Sequence, residues 1–167
     1  MCKTAARVFR HPTRNDMDAL IEIYKQNRDT LGIPFSRVFD EMMRLPHFYV
    51  IVDKLDNDRV IAFGGIKEKP RCKEYEIIHL CVAEGYRRQH IGTDFCMYLL
   101  QQVKSTDTLF GDYLFKYPVY AYAVKDKPNN KFYDCISKGS EIVEKKTTTL
   151  IKYELDYEKI KEKLKNG

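Results

Sequence analysis

At 167 residues and 19.7 kDa the chain has the length of one ordinary domain, and 44% hydrophobic with 13% aromatic residues excludes disorder, collagen-like repeats and low complexity. A net charge of +5 within 32% charged residues of both signs describes a solvated surface as well as it describes a binder of acidic partners, so charge alone does not make a nucleic-acid protein. The apolar runs fall short of the roughly 20 residues that span a bilayer, and Met1 to Pro12 lacks the apolar stretch of a secretory signal, so no membrane partner and a cytoplasmic address are expected. Five dispersed cysteines, Cys2, Cys72, Cys81, Cys96 and Cys135, argue against a disulfide framework in a domain of this size. His11, His47, His79 and His90 stand singly, without metal-ligand spacing, so no metal site is expected.

Arg7 to Arg10 alternates like a short strand. Thr13 is placed to cap a helix with Asp16 in its first turn, and Leu20, Ile21, Ile23 and Tyr24 give it an apolar stripe that fades near Gly32. Pro34 opens a second helix whose apolar side is read as Val38, Phe39, Met42 and Met43, ending before Pro46. Phe48 to Val52 and Val60 to Ile66 are extended runs on either side of Asp56-Asn57-Asp58, hence a hairpin. Tyr75 to Val82 is too apolar for an edge and belongs in mid-sheet. A helix over Ile91 to Val103 and a strand over Tyr117 to Val124 complete a βαβ unit. Asn129 or Asn130 caps a short helix that Gly139 is expected to stop. Glu141 to Lys145 and Thr147 to Leu155 form a closing hairpin, and Asp156 to Lys165 an amphipathic helix on Ile160 and Leu164.

The stretch that carries chemistry is Val82-Ala83-Glu84-Gly85-Tyr86-Arg87-Arg88-Gln89-His90-Ile91-Gly92-Thr93. It joins a buried strand to a helix through a basic turn without proline, and free backbone N–H groups at a helix N-terminus suit phosphate. A mononucleotide P-loop or a Rossmann fingerprint is not present.

Here the chain resembles the GNAT superfamily of acetyl-CoA-dependent N-acetyltransferases. That family's pyrophosphate loop reads Q/R-x-x-G-x-G/A, and Arg87-Arg88-Gln89-His90-Ile91-Gly92 matches its first, fifth and sixth positions with His90 where the first glycine belongs. Leu80-Cys81-Val82-Ala83 resembles the family's splayed central strand, and Asn130-Lys131-Phe132-Tyr133 with Gly139 resembles a later N-x-F-Y…G segment. The resemblance spans nearly the whole chain, with its specific motifs in residues 75 to 93 and 129 to 139. It implies one α/β domain over residues 1–167, a mixed sheet of about seven strands in the order β-α-α-β-β-β-α-β-α-β-β, and a C-terminal helix.

It also implies that Gln89 to Thr93 (Gln89, His90, Ile91, Gly92, Thr93) cradle the acetyl-CoA pyrophosphate, with Arg87 and Arg88 adding charge. Leu80, Cys81 and Val82 would pair with the pantetheine arm, one amide polarising the thioester carbonyl where oxyanion charge develops. An alkylamine with a pKa of about 10.4 must lose a proton to attack, and the departing thiolate gains from one. Glu76 on the central strand is the expected base and His79 the second candidate, alternation placing Glu76, Ile78 and Leu80 on one face and Ile77, His79 and Cys81 on the other. Tyr133 is the expected acid. Asn130 orients the cofactor or caps its helix, and Cys81, Cys96 and Cys135 are read as structural thiols.

Arg28 to Arg37 is the expected substrate lip, with Arg28, Phe35 and Arg37 its candidate contacts. Tyr117, Tyr120, Tyr122 and Tyr133 either line a groove or pack. The expected acceptor is a primary amine on a small molecule or protein. The alternatives are a nucleobase amine, as for GNAT-like proteins that modify phage DNA, and a catalytically silent CoA-binding module. A homodimer is compatible with the family.

Overall fold

A computed structural model describes residues 6–105 and 114–166; Cys2 lies outside them. The chain is mixed α/β, and its principal strands are hydrogen bonded in the order β1-β2-β3-β4-β7-β9-β8, with β5 and β6 forming a separate pair. In chain order these are β1 (Arg7–Arg10), α1 (Met17–Gln26), α2 (Arg28–Leu31), α3 (Phe35–Arg44), β2 (Phe48–Asp53), β3 (Arg59–Lys69), β4 (Glu74–Val82), α4 (Ile91–Val103), β5 (Lys104–Ser105), β6 (Leu114–Phe115), β7 (Val119–Val124), α5 (Asn129–Ile136), β8 (Ser137–Glu144), β9 (Thr149–Leu155) and α6 (Tyr157–Asn166). Seven main strands and the expected element order agree with the sequence reading; α2 and the two-residue strands are additions. The chain divides into two compact units, one of Met1–Gly65 with His79–Gly92 and one of Ile66–Ile78 with Thr93–Gly167.

In the first unit, β2 pairs antiparallel with β1 and β3. Asn57 and Asp58 turn the hairpin at φ 50° and 58°, the left-handed region that short polar side chains tolerate. Thr13 caps a 3-10 turn, Arg14–Asp16, instead of α1 itself. The reason is Asp16, whose carboxylate accepts from the Thr13 amide at 2.8 Å and from both Arg10 guanidinium nitrogens at 2.8 Å, so the first turn is tightened onto β1. Gly32, at φ 66°, ends α2, where the apolar pattern fades.

The inner stripe of α3 is Val38, Glu41 and Met42, whereas Met43 is 44% exposed. At 100° per residue, positions three and four apart share a face, and Met43 is rotated off it. Phe48 and Phe63, both fully buried, stack with ring centroids 6.3 Å apart. A buried phenyl ring is worth roughly 1.5–3 kcal/mol, so this pair anchors the hairpin.

In the second unit, β7 runs parallel to β4 through Tyr75↔Val119, Glu76↔Tyr120 and Ile77↔Ala121, and antiparallel to β9 from Tyr120↔Glu154 to Val124↔Leu150. The parallel register thus stops after Ile77 while β7 keeps its other partner. On α4, Phe95, Cys96, Leu99 and Leu100 are all at most 2% exposed. The helix α5 ends at Ile136, and Gly139 is not its stop: it lies in β8, at the irregularity between Ser137↔Leu155 and Gly139↔Glu154. Because β8 follows α5 directly, the helix is terminated by strand pairing, with the Asp156 amide bonded to the Ile136 carbonyl at 2.9 Å.

Candidate active site

The turn between β4 and α4 begins with the Ala83 amide donating to the Ile61 carbonyl at 2.8 Å, followed by a 3-10 turn, Glu84–Tyr86. Arg88 and His90 then take up φ 64° and 60°. His90, which stands where the loop motif has its first glycine, thereby holds a left-handed backbone, a conformation more accessible to histidine than to a β-branched residue. Among the described residues no acceptor is bonded to the backbone N–H of Arg88, Gln89 or His90, and the first amides of α4 have no partner within the helix. This donor row fits a phosphate group.

The side chains of the turn divide their work. The Arg87 guanidinium donates to the Gln26 carbonyl at 3.0 Å and to Asn27 Oδ1 at 3.2 Å, and Gln26 Oε1 accepts from the Glu84 amide at 2.8 Å. Gln89 accepts from Arg7 at 2.8 Å. Arg88 and His90 are exposed and form no hydrogen bond or ion pair among the described residues. Ile91 is buried, Gly92 half-buried and Thr93 buried.

On β4, strict alternation fails at His79, which has φ 53°. Cys81 is 2% exposed while its neighbours Leu80 and Val82 are both half-buried, so the strand presents consecutive residues differently on either side of the distortion. Burial pushes the Cys81 thiol up and that of Cys96 up to about 12, consistent with inert thiols. Cys135, in contrast, is exposed. Gly64 lets β3 approach this segment: a Cβ there would meet Leu80 Cδ1 at 3.1 Å and Leu80 Cα at 3.2 Å. The Asn27 side chain donates through Nδ2 to the Val82 carbonyl at 3.3 Å.

His79 Nε2 lies 3.3 Å from Glu41 Oε1, with side-chain exposures of 11% and 8%. Arg37 Nε stands 3.5 Å from the same carboxylate oxygen, and the Phe48 ring is 6.4 Å from the imidazole. Sequence reasoning passed over Glu41. Its signal was a carboxylate three residues after Val38, inside an apolar stripe.

Glu76 is half-buried beside Lys67 at 3.5 Å and Lys69 at 4.0 Å. Its neighbour Glu74 is 5% exposed and accepts from Tyr122 at 2.8 Å and Lys69 at 3.0 Å, with Lys152 at 3.1 Å. Burial alone would raise the Glu74 pKa, but these three donors outweigh it and hold the carboxyl below its usual range. Lys152 sits 4.1 Å from the Tyr120 ring centroid. The strand tyrosines are therefore engaged by this chain's own lysines and glutamate.

On α5, Tyr133 is 6% exposed and stacks on Tyr153 at 5.5 Å. Asn130 uses all its polar atoms, donating to the Val124 and Lys127 carbonyls at 2.8 and 2.9 Å and accepting from Tyr153 at 2.6 Å. The adjacent Asn129 Oδ1 is buried without a hydrogen-bond partner among the described residues. Of the lip residues, Phe35 is half-buried between Tyr24 and Phe39, at 5.4 and 6.0 Å. Arg28 lies over Tyr24 at 5.9 Å, and Arg37 is paired with Glu41 as above.

Among the described residues no helix is long and apolar enough to cross a membrane. Comparison with known proteins gives a family-model match, "Acetyltransferase (GNAT) family", over residues 17–111. Solved structures that resemble the chain include Naa20 from Chaetomium thermophilum in complex with a bisubstrate analogue, at 13% identity and TM-score 0.65, covering 90% of this chain and 87% of that one. Ard1 from Thermoplasma volcanium matches at 17% identity and TM-score 0.62, over 90% and 99% of the two chains. N-acetylglutamate synthase from Neisseria gonorrhoeae, complexed with coenzyme A and N-acetyl-glutamate, matches at 7% identity and TM-score 0.60, and this chain covers 90% of itself but 35% of that protein. No curated protein sequence matches. The likeness to these structures is one of fold, and the family match across more than half of the sequence supplies the identity: the chain belongs to the GNAT acetyltransferase family.

Proposed function

We propose that the chain transfers an acetyl group from acetyl-CoA to a primary amine by direct attack, as one domain acting in the cytoplasm. The observation that carries the cofactor half is the row of unbonded amides from Arg88 to the start of α4, opened by left-handed Arg88 and His90. In this reading Gln89, His90, Ile91, Gly92 and Thr93 hold the pyrophosphate through backbone N–H groups. Arg88 supplies free charge, and Arg87 holds the turn. Leu80, Cys81 and Val82 line the pantetheine, and an amide among them polarises the thioester carbonyl. Asn130 orients the cofactor or, with Nδ2 and Oδ1 bonded within the chain, caps α5.

The neutral amine attacks the carbonyl carbon, the C–N bond forms, and the C–S bond breaks. Tyr133 protonates the departing thiolate, and a group on β4, Glu76 or His79, takes the amine proton. Arg28, Phe35 and Arg37 border the amine. Isothermal titration calorimetry with acetyl-CoA, beside dephospho-CoA and the Arg87→Ala, Arg88→Ala double variant, tests the cofactor half. Micromolar binding that the double variant loses is expected. Absence of binding at millimolar acetyl-CoA would overturn the reading, and tight binding without thiol release would leave a CoA-binding module.

A further inference from the structure

Resting on the acetyl-CoA reading of the β4–α4 turn, we infer that the β2–β3 turn is its second anchor: Tyr86 and Asp56 are positioning residues that hold the amides of Arg88, Gln89 and His90 in place for a diphosphate. Both ends of the tie are fixed before they meet. Tyr86 closes the 3-10 turn, its amide donating to the Ala83 carbonyl at 2.9 Å, and the Ala83 amide is itself bonded to Ile61 of β3 at 2.8 Å. Asp56 lies in a turn pinned by its own hydrogen bonds. Its amide donates to the Asp53 carbonyl at 3.2 Å, the Arg59 amide donates to the Asp56 carbonyl at 2.9 Å, and the Leu55 amide donates to Asp53 Oδ1 at 2.9 Å.

Across 30 positions of sequence, the Tyr86 hydroxyl donates to Asp56 Oδ2 at 2.7 Å. Arg59 joins the pair, with Nη1 3.6 Å from the same oxygen and Cζ 5.4 Å from the Tyr86 ring centroid. A hydroxyl donating to a carboxylate is among the stronger hydrogen bonds, and a cation over the ring holds the same side chain from its face. Burial first, and then the Asp56 carboxylate, pushes the Tyr86 phenol up to about 12, so the donor keeps its proton at neutral pH. The ties from Glu84 and Arg87 to the end of α1 are exposed, whereas the Tyr86 bond is part-buried and competes less with water. Arg87 is extended, and Arg88 then turns left-handed at φ 64°, so one residue separates the Tyr86 anchor from the donor row. A turn that visits its binding form only part of the time binds with an affinity reduced by that fraction; the tie keeps the fraction high.

The test is a double-mutant cycle read by calorimetry with acetyl-CoA. Tyr86→Phe, which removes only the hydroxyl, and Asp56→Ala are each expected to raise the acetyl-CoA Kd about 10-fold, the scale of one hydrogen bond to a charged group. Asp56→Asn keeps an oxygen that accepts from the phenol and should stay within about threefold of wild type. The double variant Tyr86→Phe, Asp56→Ala should bind no more weakly than either single one, because each residue acts through the other. Tyr86→Phe that melts earlier but binds acetyl-CoA as wild type does would make the tie structural only and overturn the inference. A double variant whose loss is the product of the two single losses would overturn it as well, and both results leave the cofactor reading standing. Wild-type protein that binds no acetyl-CoA at millimolar concentration would overturn that reading and this inference with it. Far-ultraviolet circular dichroism at the titration temperature separates lost binding from lost fold, and the contrast of Asp56→Ala with Asp56→Asn carries the test should Tyr86→Phe fail to fold.

Discussion

The Arg87 guanidinium closes on the Gln26 carbonyl at 3.0 Å. A cation at a helix C-terminus is favourable because the last carbonyls of the helix lack partners. The first arginine of the loop therefore fastens the turn to α1, whereas Arg88 has no partner among the described residues; in the proposed function it is the one that meets the pyrophosphate. The two arginines should separate by assay. Arg87→Ala is expected to cost about 1 kcal/mol of stability and to weaken acetyl-CoA binding by loosening the turn. Arg88→Ala should leave the melting temperature within about 1 °C, a shift of the size surface changes produce, and weaken binding in a way that fades at high salt. Thermal melts and calorimetry at two ionic strengths check both.

His90 answers the question that its place in the loop motif poses. At φ 60° it adopts a left-handed conformation that glycine enters without steric cost. His90→Gly is therefore expected to be neutral, or stabilising by up to about 1 kcal/mol, since relief of the left-handed backbone is partly offset by glycine's larger unfolded-state entropy. His90→Val should cost more than 1 kcal/mol by order of magnitude, because a β-branched residue is a true outlier at positive φ, and should weaken acetyl-CoA binding. Melting temperatures with matched titrations of the two variants give the comparison.

The same local logic separates what the sequence made legible from what it did not. Gly32, Asn57-Asp58 and the start of α4 at Ile91 lie where composition put them, because a turn or cap is fixed by a few adjacent residues. Alternation along β4 failed at His79, since periodicity presumes an extended backbone and a left-handed residue resets the count. The contact of Glu41 with His79 was invisible because the two lie 38 positions apart, and a lone carboxylate on a helix reads as solvated. Gly139 was misread for a related reason: a glycine signals a break in regular structure, and the break proved to be a β8 irregularity, not a helix end.

Gly65 marks where the hairpin leaves no room. A Cβ there would stand 2.6 Å from the Phe48 ring and 2.9 Å from the His47 carbonyl oxygen, and Phe48 is fully buried. Gly65→Ala is expected to cost about 1–3 kcal/mol through overpacking. At this chain length that corresponds to a fall in Tm of roughly 2–12 °C. Because the Phe48 ring also flanks His79, the variant should perturb the imidazole resonances of His79 in a two-dimensional NMR spectrum, whereas Val8→Ala on the exposed edge strand should leave them unmoved.

Glu74 gives the fold an acid-sensitive point. Burial opposes its charge, yet hydrogen bonds from Tyr122, Lys69 and Lys152 hold its carboxyl below the usual range. A carboxyl group whose pKa is lower in the folded than in the unfolded state binds fewer protons when folded. Its stabilisation is therefore complete above the unfolded value of about 4.3 and is lost as pH falls through the lower folded value. Asp16 follows the same sign, held down first by its hydrogen bonds from Arg10. Glu74→Gln should lower stability near pH 7 by about 3 kcal/mol, since it leaves the part-buried ammonium groups of Lys69 and Lys152 without their shared carboxylate. It should also flatten the fall in stability below pH 5, leaving the share that Asp16 contributes. Urea unfolding from pH 3 to 8 reads both effects; a Glu74→Gln profile parallel to wild type would show that the carboxylate does not titrate with folding.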